Sequence, residues 1–158
     1  MSKEITLIKS REKRITNIYQ HYSREQQRDF LSLLYFGEYP QDKKNIIYEI
    51  EKDIVYKIRN YKIQDIKKQR YIGNITYDNI IQKLVESKLL CYYCKKNIDI
   101  CYMFRNQQNQ WTLDRIDNDT SHTFDNCVIS CLHCNISKGK RSHTNFKFSK
   151  QLQVIKDE

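Results

Sequence analysis

The sequence contains one proline and three glycines in 158 residues. So few breakers leave little room for tight turns and point to a chain rich in helix. No stretch approaches the ~20 consecutive apolar residues that a membrane span needs. The opening Met1-Ser2-Lys3-Glu4 lacks the apolar core of a secretory signal, so the expected location is inside a cell, in cytoplasm or nucleus. An acidic surplus is also absent: the formal net charge is +9. Both halves of the chain are basic, which favours a polyanionic partner, most simply nucleic acid. With 12 tyrosines and 6 phenylalanines beside plentiful Ile and Leu, the chain can bury a core, which excludes global disorder.

The apolar spacing organises the first ninety residues. Ile5, Leu7, Ile8, Ile15, Ile18, Tyr19 and Tyr22 fall on a helical period. A second helix is expected from Ser23 to Phe36, with Ser23 and Gln26 forming a capping box, Phe30, Leu33 and Leu34 as its stripe, and Gly37 and Pro40 ending it. A third is expected from Asp42 to Lys57, with Ile46, Ile47, Ile50, Ile54 and Val55 inward. The following stretch interleaves Lys57, Arg59, Lys62, Lys67, Lys68 and Arg70 with apolar residues. It reads as a basic strip lying against phosphates. Gly73 and Asn74 mark a break. Thr76 caps a helix over Tyr77–Lys88, with Ile80, Ile81, Leu84 and Val85 expected inside.

Six cysteines in a reducing compartment argue for metal binding rather than disulfides. Cys91/Cys94 and Cys131/Cys134 are two Cys-x-x-Cys pairs. Two intervening residues let both sulfurs of a pair reach one ion, and two pairs supply the four ligands of a structural zinc site. His133 is the rival ligand. Cys101 and Cys127 fit no pair and read as buried thiols. His21 and His143 read as surface residues, and Trp111 as core.

Between the pairs, Gln110–Leu113 reads as a short strand running into Asp114. Asp117 to Asp125 is a polar loop, Cys127–Ser130 a second strand, and a helix begins near Cys134. Strand ending in Asp, Asp125-Asn126 before the second strand, and Asn135 directly after the last cysteine keep a distinctive order. The segment Cys91–Lys140 resembles the HNH endonucleases, especially the zinc-bearing kind of phages and large viruses. The resemblance covers about a third of the chain and leaves residues 1–75 outside it.

The resemblance implies roles for particular residues. Asp114 matches the carboxylate that holds a catalytic Mg²⁺ or Mn²⁺, and Asn135 matches the second protein ligand of that ion. Asn126 matches the residue that braces the loop between the strands. The family usually has a histidine immediately after the metal Asp, where it activates water. Here Arg115 stands there, although the form Asp-Arg-Ile-Asp also occurs among relatives. Arginine keeps its proton and is a poor base. Asp117 and His122 are the candidate substitutes, and Arg115 itself is a candidate phosphate clamp. Lys138, Lys140 and Arg141 are expected to reach backbone phosphates.

The expected fold is α+β: a basic helical region over 1–75 that binds nucleic acid, then a zinc-braced ββα-metal module over 76–150. The expected activity is metal-dependent hydrolysis of phosphodiesters, in DNA first of all. The rivals are a zinc-stabilised nucleic-acid binder without cleavage, which Arg115 favours, and a zinc module for protein contacts.

Overall fold

The computed structural model describes residues 21–71 and 73–156. The helical period from Ile5 to Tyr19 lies outside them. Helix α1 spans Arg24–Phe36, α2 Lys44–Lys67 after a short 3₁₀ turn at Gln41–Lys43, and α3 Tyr77–Ser87. Strands β1 (Trp111–Arg115) and β2 (Cys127–Cys131) follow, then α4 (Leu132–Lys138) and α5 (His143–Lys156). The class is α+β, with one two-stranded antiparallel sheet among the described residues. Among them, too, no helix is long and apolar enough to cross a membrane.

Local chemistry explains the helix ends. Ser23 accepts from the Gln26 amide while the Gln26 side chain accepts from the Ser23 amide, and Thr76 and Asn79 repeat the device at the start of α3. Helix α1 ends where Gly37 takes a left-handed conformation, φ 73°, and its N–H closes on the Leu33 carbonyl.

Helix α2 runs ten residues past its expected end, because nothing from Gln41 to Tyr71 is Gly or Pro. Most of the basic stretch is therefore the last three turns of one long helix. Two edge positions of the expected stripes face outward: Val55 is 47% exposed and Val85 38%. Each lies one residue beyond a buried partner, Ile54 or Leu84, where the helix surface turns toward water.

One hydrophobic cluster runs from Phe30 and Leu34 on α1 through Ile47, Ile50 and Ile54 on α2 to Trp111 and Ile129 in the sheet. It does not stop at residue 75, so the described residues share a single core across that expected boundary. Complete burial of Ile47, Ile50 and Ile54 contributes about 1.5–3 kcal/mol each. Helix α1 also grips the chain ahead of β1. Arg24 donates to the Ile98 and Leu89 carbonyls, and Gln27 Oε1 accepts from the Ile100 and Cys101 amides.

Lys57 does not belong to an exposed basic strip. Its side chain is buried: Nζ donates to the Trp111 carbonyl (2.5 Å) and to Gln110 Oε1 (3.2 Å). It lies 4.3 Å from the Trp111 ring centroid and 4.8 Å from that of Tyr102. Burial pushes its pKa down to about 8, against the opposing pull of Asp53.

Lys57→Ala should cost about 3 kcal/mol, since it strands buried acceptors and Asp53. Lys62→Ala, at an exposed site on the same helix, should stay within about 0.5 kcal/mol. The sign of the pH effect follows from the depressed pKa. From about pH 8 to 10.5 the unfolded chain still binds a proton that native Lys57 has released, so the native state gains stability as pH rises. Lys57→Met should lack that gain. Chemical denaturation across this pH range measures both effects, and equal costs for the two alanine variants would contradict the buried assignment.

Candidate functional site

The Cys91 and Cys94 pair sits in the loop after α3, and Cys131 and Cys134 join the end of β2 to the start of α4. The four sulfurs lie within 4.8 Å of one another, and Cys94 and Cys131 are 3.9 Å apart. Tetrahedral coordination with ~2.3 Å bonds places sulfurs roughly 3.8 Å apart, so the cluster can hold a metal ion. Hydrogen bonds from neighbouring thiols, Cys131 first, hold Cys91 far below the ordinary thiol range and Cys94 at about 6. The same sharing of protons raises Cys131 and Cys134, so the case for a metal rests on the sulfur geometry. His133 is exposed and outside the cluster. Cys101 and Cys127 are buried single thiols, and burial raises both, Cys127 to about 12.

Cys131 also caps α4, its sulfur accepting from the Cys134 amide. The helix thus starts at Leu132, two residues before Cys134, and Asn135 lies within it rather than at its opening. From there Asn135 Nδ2 donates to Thr112 Oγ1 and to the Leu113 carbonyl, both 3.0 Å. Those bonds tie α4 to β1 and leave Oδ1 as the acceptor end of the amide.

Asp114 is 6% exposed, on β1 opposite Val128. One carboxylate oxygen, Oδ2, accepts a short hydrogen bond from the Tyr93 hydroxyl, whose own pKa is raised by burial and by Asp114. Lys138 Nζ lies 3.0 Å from Oδ2 and 3.3 Å from Oδ1, and also donates to the Arg115 carbonyl at 2.8 Å. Lys138 is 1% exposed, so it does not reach out to phosphates as expected. Its ammonium is held instead by the Asp114 carboxylate on β1. Lys140 and Arg141 are exposed, with Arg141 donating to the Ser137 carbonyl and lying over the Phe146 ring.

The loop between the strands is held by Asn126. Its Oδ1 accepts from the Asp117 amide, and its Nδ2 donates to the Asp117 and Ser121 carbonyls and to Thr120 Oγ1. Arg115 works on the same loop: Nη1 donates to the Asn118 and Thr120 carbonyls and lies 3.8 Å from Asp65. Asp117 is exposed and receives the Asp119 amide.

His122 is 4% exposed, stacked on Tyr61 with ring centroids 4.6 Å apart. Its Nδ1 and its backbone N–H both meet Asp65 Oδ2, at 2.9 and 2.8 Å. Burial lowers its pKa below 6.5, with Asp65 opposing and Arg115 and Arg70 reinforcing.

A cleft of about 740 Å³ opens between α2 and this unit. Asp114, Arg115, His122 and Asn135 line one side, and Asp53, Lys57 and Tyr61 the other. Of the remaining cations in the basic stretch, Arg59, Lys62, Lys67 and Lys68 are exposed, while Arg70 is half-buried near Asp65. Sequence reasoning missed Asp65, Tyr61 and Tyr93. Asp65 left one trace, as the lone acid among six cations between Lys57 and Arg70. Tyr93 lies between the first two cysteines and left none.

The donors at Asp114 and Asn135 are hard oxygens, suited to Mg²⁺ or Mn²⁺. A carboxylate offers about four lone-pair sites. Tyr93 and Lys138 take up to three, so room for an ion remains, at the cost of a neighbouring ammonium. No protein-family model matches the chain, and neither does any curated protein or solved structure.

Lys138→Met separates the two cations. Removing the ammonium leaves Asp114 a buried unpaired carboxylate, a loss of about 3–5 kcal/mol. Mg²⁺ should restore much of that stability and raise the variant's melting temperature more than the wild type's. Thermal denaturation with Mg²⁺ and with EDTA checks this, and identical Mg²⁺ responses in the two proteins would exclude an ion on Asp114.

Proposed function

We propose that the chain is an HNH-type, metal-dependent endonuclease that hydrolyses nucleic-acid phosphodiesters, DNA foremost. One observation carries the proposal. Asp114 on β1 and Asn135 on α4 line the same cleft as Arg115 and His122. A carboxylate, an amide oxygen, a guanidinium and an imidazole are the groups that such hydrolysis uses.

Asp114 and the Oδ1 of Asn135 would hold a divalent ion. When bound, that ion supplies positive charge for the leaving 3′ oxygen and for the crowded phosphorus. Arg115 keeps its proton, and its place beside the cleft adds a cation facing the substrate phosphate. Asn126 fixes the loop that carries His122. The exposed Arg59, Lys62, Lys67, Lys68, Lys140 and Arg141 offer phosphate contacts along the backbone. The four-cysteine cluster holds structural zinc, whose four sulfur ligands leave no open position for chemistry.

A second reading, binding without cleavage, is favoured by one observation: Asp114 is already paired with the Lys138 ammonium. Supercoiled plasmid incubated with the full chain separates the two. The enzyme nicks it with Mg²⁺ or Mn²⁺ and not with EDTA. Asp114→Asn should lower the rate by about 10³-fold or more, the loss expected when an ion worth several kcal/mol is removed. Zinc content, one per chain by elemental analysis, should be unchanged in that variant. Salt-dependent binding with no nicking under any divalent ion would select the binder.

Neutralising Arg59, Lys62 and Lys68 should flatten the slope of log K against log salt by about 0.9 for each phosphate no longer neutralised. Lys140→Ala and Arg141→Ala should act in the same direction, and an unchanged slope in all of them would move the nucleic acid to another face.

A further inference from the structure

Helix α2 brings to His122, behind the cleft wall, a buried residue that the strand–strand–helix unit does not contain. Asp65 Oδ2 accepts both the backbone N–H of His122 (2.8 Å) and its ring Nδ1 (2.9 Å). An ionised carboxylate has no proton to give, so Nδ1 must carry the hydrogen. The bond at one ring nitrogen thereby sets the state of the other: Nε2 is left unprotonated, as an acceptor. Tyr61, one turn earlier on α2, stacks on the imidazole at 25° between planes and fixes its orientation. The ring lines the cleft that holds Asp114 and Asn135.

Resting on the hydrolytic reading of this cleft, we propose that His122 is the general base and that Asp65 is its positioning residue, a dyad assembled across α2 and the inter-strand loop. The water oxygen donates a lone pair to phosphorus while His122 Nε2 takes the water proton. The P–O3′ bond breaks with its electron pair on O3′, which takes a proton from solvent. The imidazolium then returns its proton to solvent. Asp65 holds the productive tautomer before the step and stabilises the imidazolium during it, as a carboxylate does behind the histidine of a hydrolase triad.

The charges around the ring are balanced for this work. Asp65 on α2 favours the imidazolium, while Arg115 on β1 and Arg70 just beyond α2 disfavour it. Asp65 Oδ1 lies 3.8 Å from both guanidinium groups. Burial is the largest influence and lowers the ring's pKa from its ordinary value, which favours the neutral imidazole that can act as a base. Arg115, at the position where a base was expected, acts on His122 and its loop instead.

Asp65→Asn tests the dyad, because the amide oxygen can accept the same two N–H groups while the charge is gone. Plasmid nicking by the full chain, with zinc content and circular dichroism confirming the fold, should show kcat lower by about 10–100-fold with KM within about twofold. The acid limb of the rate profile should move to lower pH, because loss of the anion leaves Arg70 and Arg115 unopposed. His122→Gln should lose more, about 10²–10⁴-fold, and should flatten that limb. Independently of activity, ¹⁵N NMR of wild-type His122 should show Nδ1 protonated and Nε2 free. A folded Asp65→Asn with unchanged kcat and pH profile would overturn the dyad, as would an Nε2–H tautomer in the wild type, and both leave the nuclease reading standing. A wild type with no divalent-dependent nicking would remove that reading and the base with it.

Discussion

One edge of α2 sets the geometry on which everything else depends. Asp53, Lys57, Tyr61 and Asp65 recur every four residues, so they form a single row along the helix. Each grips a different part of the chain beyond residue 100. Asp53 receives the Tyr102 hydroxyl, Lys57 donates to the Trp111 carbonyl, Tyr61 accepts the Leu113 amide, and Asp65 takes the His122 amide and ring. Buried polar groups of this kind add little net stability but are costly when mispaired, so they fix one register between helix and sheet. The cleft exists because this row holds α2 against β1 at a set distance. A metal ion held by the four cysteines would do the same at the other end, fixing β2 to α4 and to the loop after α3.

The same row explains which parts of the fold were legible in the sequence. Capping at Ser23 and Thr76, the apolar stripes of α1 and, apart from Val85, of α3, the two strands and the grouping of the two cysteine pairs all follow from local chemistry, and the structure has them. Helix α2 is longer than expected because a switch from apolar to basic composition imitates a helix end. Charge does not stop a helix, and no Gly or Pro intervenes. A lysine in a basic stretch looks the same in sequence whether it faces water or a buried carbonyl, so Lys57 and Lys138 were indistinguishable from phosphate contacts. Only the tertiary partner separates the two cases, and the partners are 54 and 24 residues away.

The candidate site shows the same division. Asp114, Asn126 and Asn135 were legible because their order around the second cysteine pair is local. Asp65 was not, since its partner His122 lies 57 residues further on. The pairing of Asp114 with Lys138 was also hidden, and it matters most for chemistry. A buried carboxylate with an ammonium at 3.0 Å is electrically satisfied, so a divalent ion must compete for it or share it. In the proposed nuclease, a scissile phosphate would bring the negative charge that makes sharing favourable. The proposed site would thus hold its ion best with nucleic acid in place.

Crystals of the full chain grown with Mn²⁺ and a short DNA duplex, with anomalous data at the zinc and manganese edges, test the shared-ion site most directly. The expected result is a zinc peak among Cys91, Cys94, Cys131 and Cys134, and a manganese peak touching Asp114, Asn135 Oδ1 and a DNA phosphate. DNA bound in the cleft with no manganese there, and Lys138 still on Asp114, would contradict it.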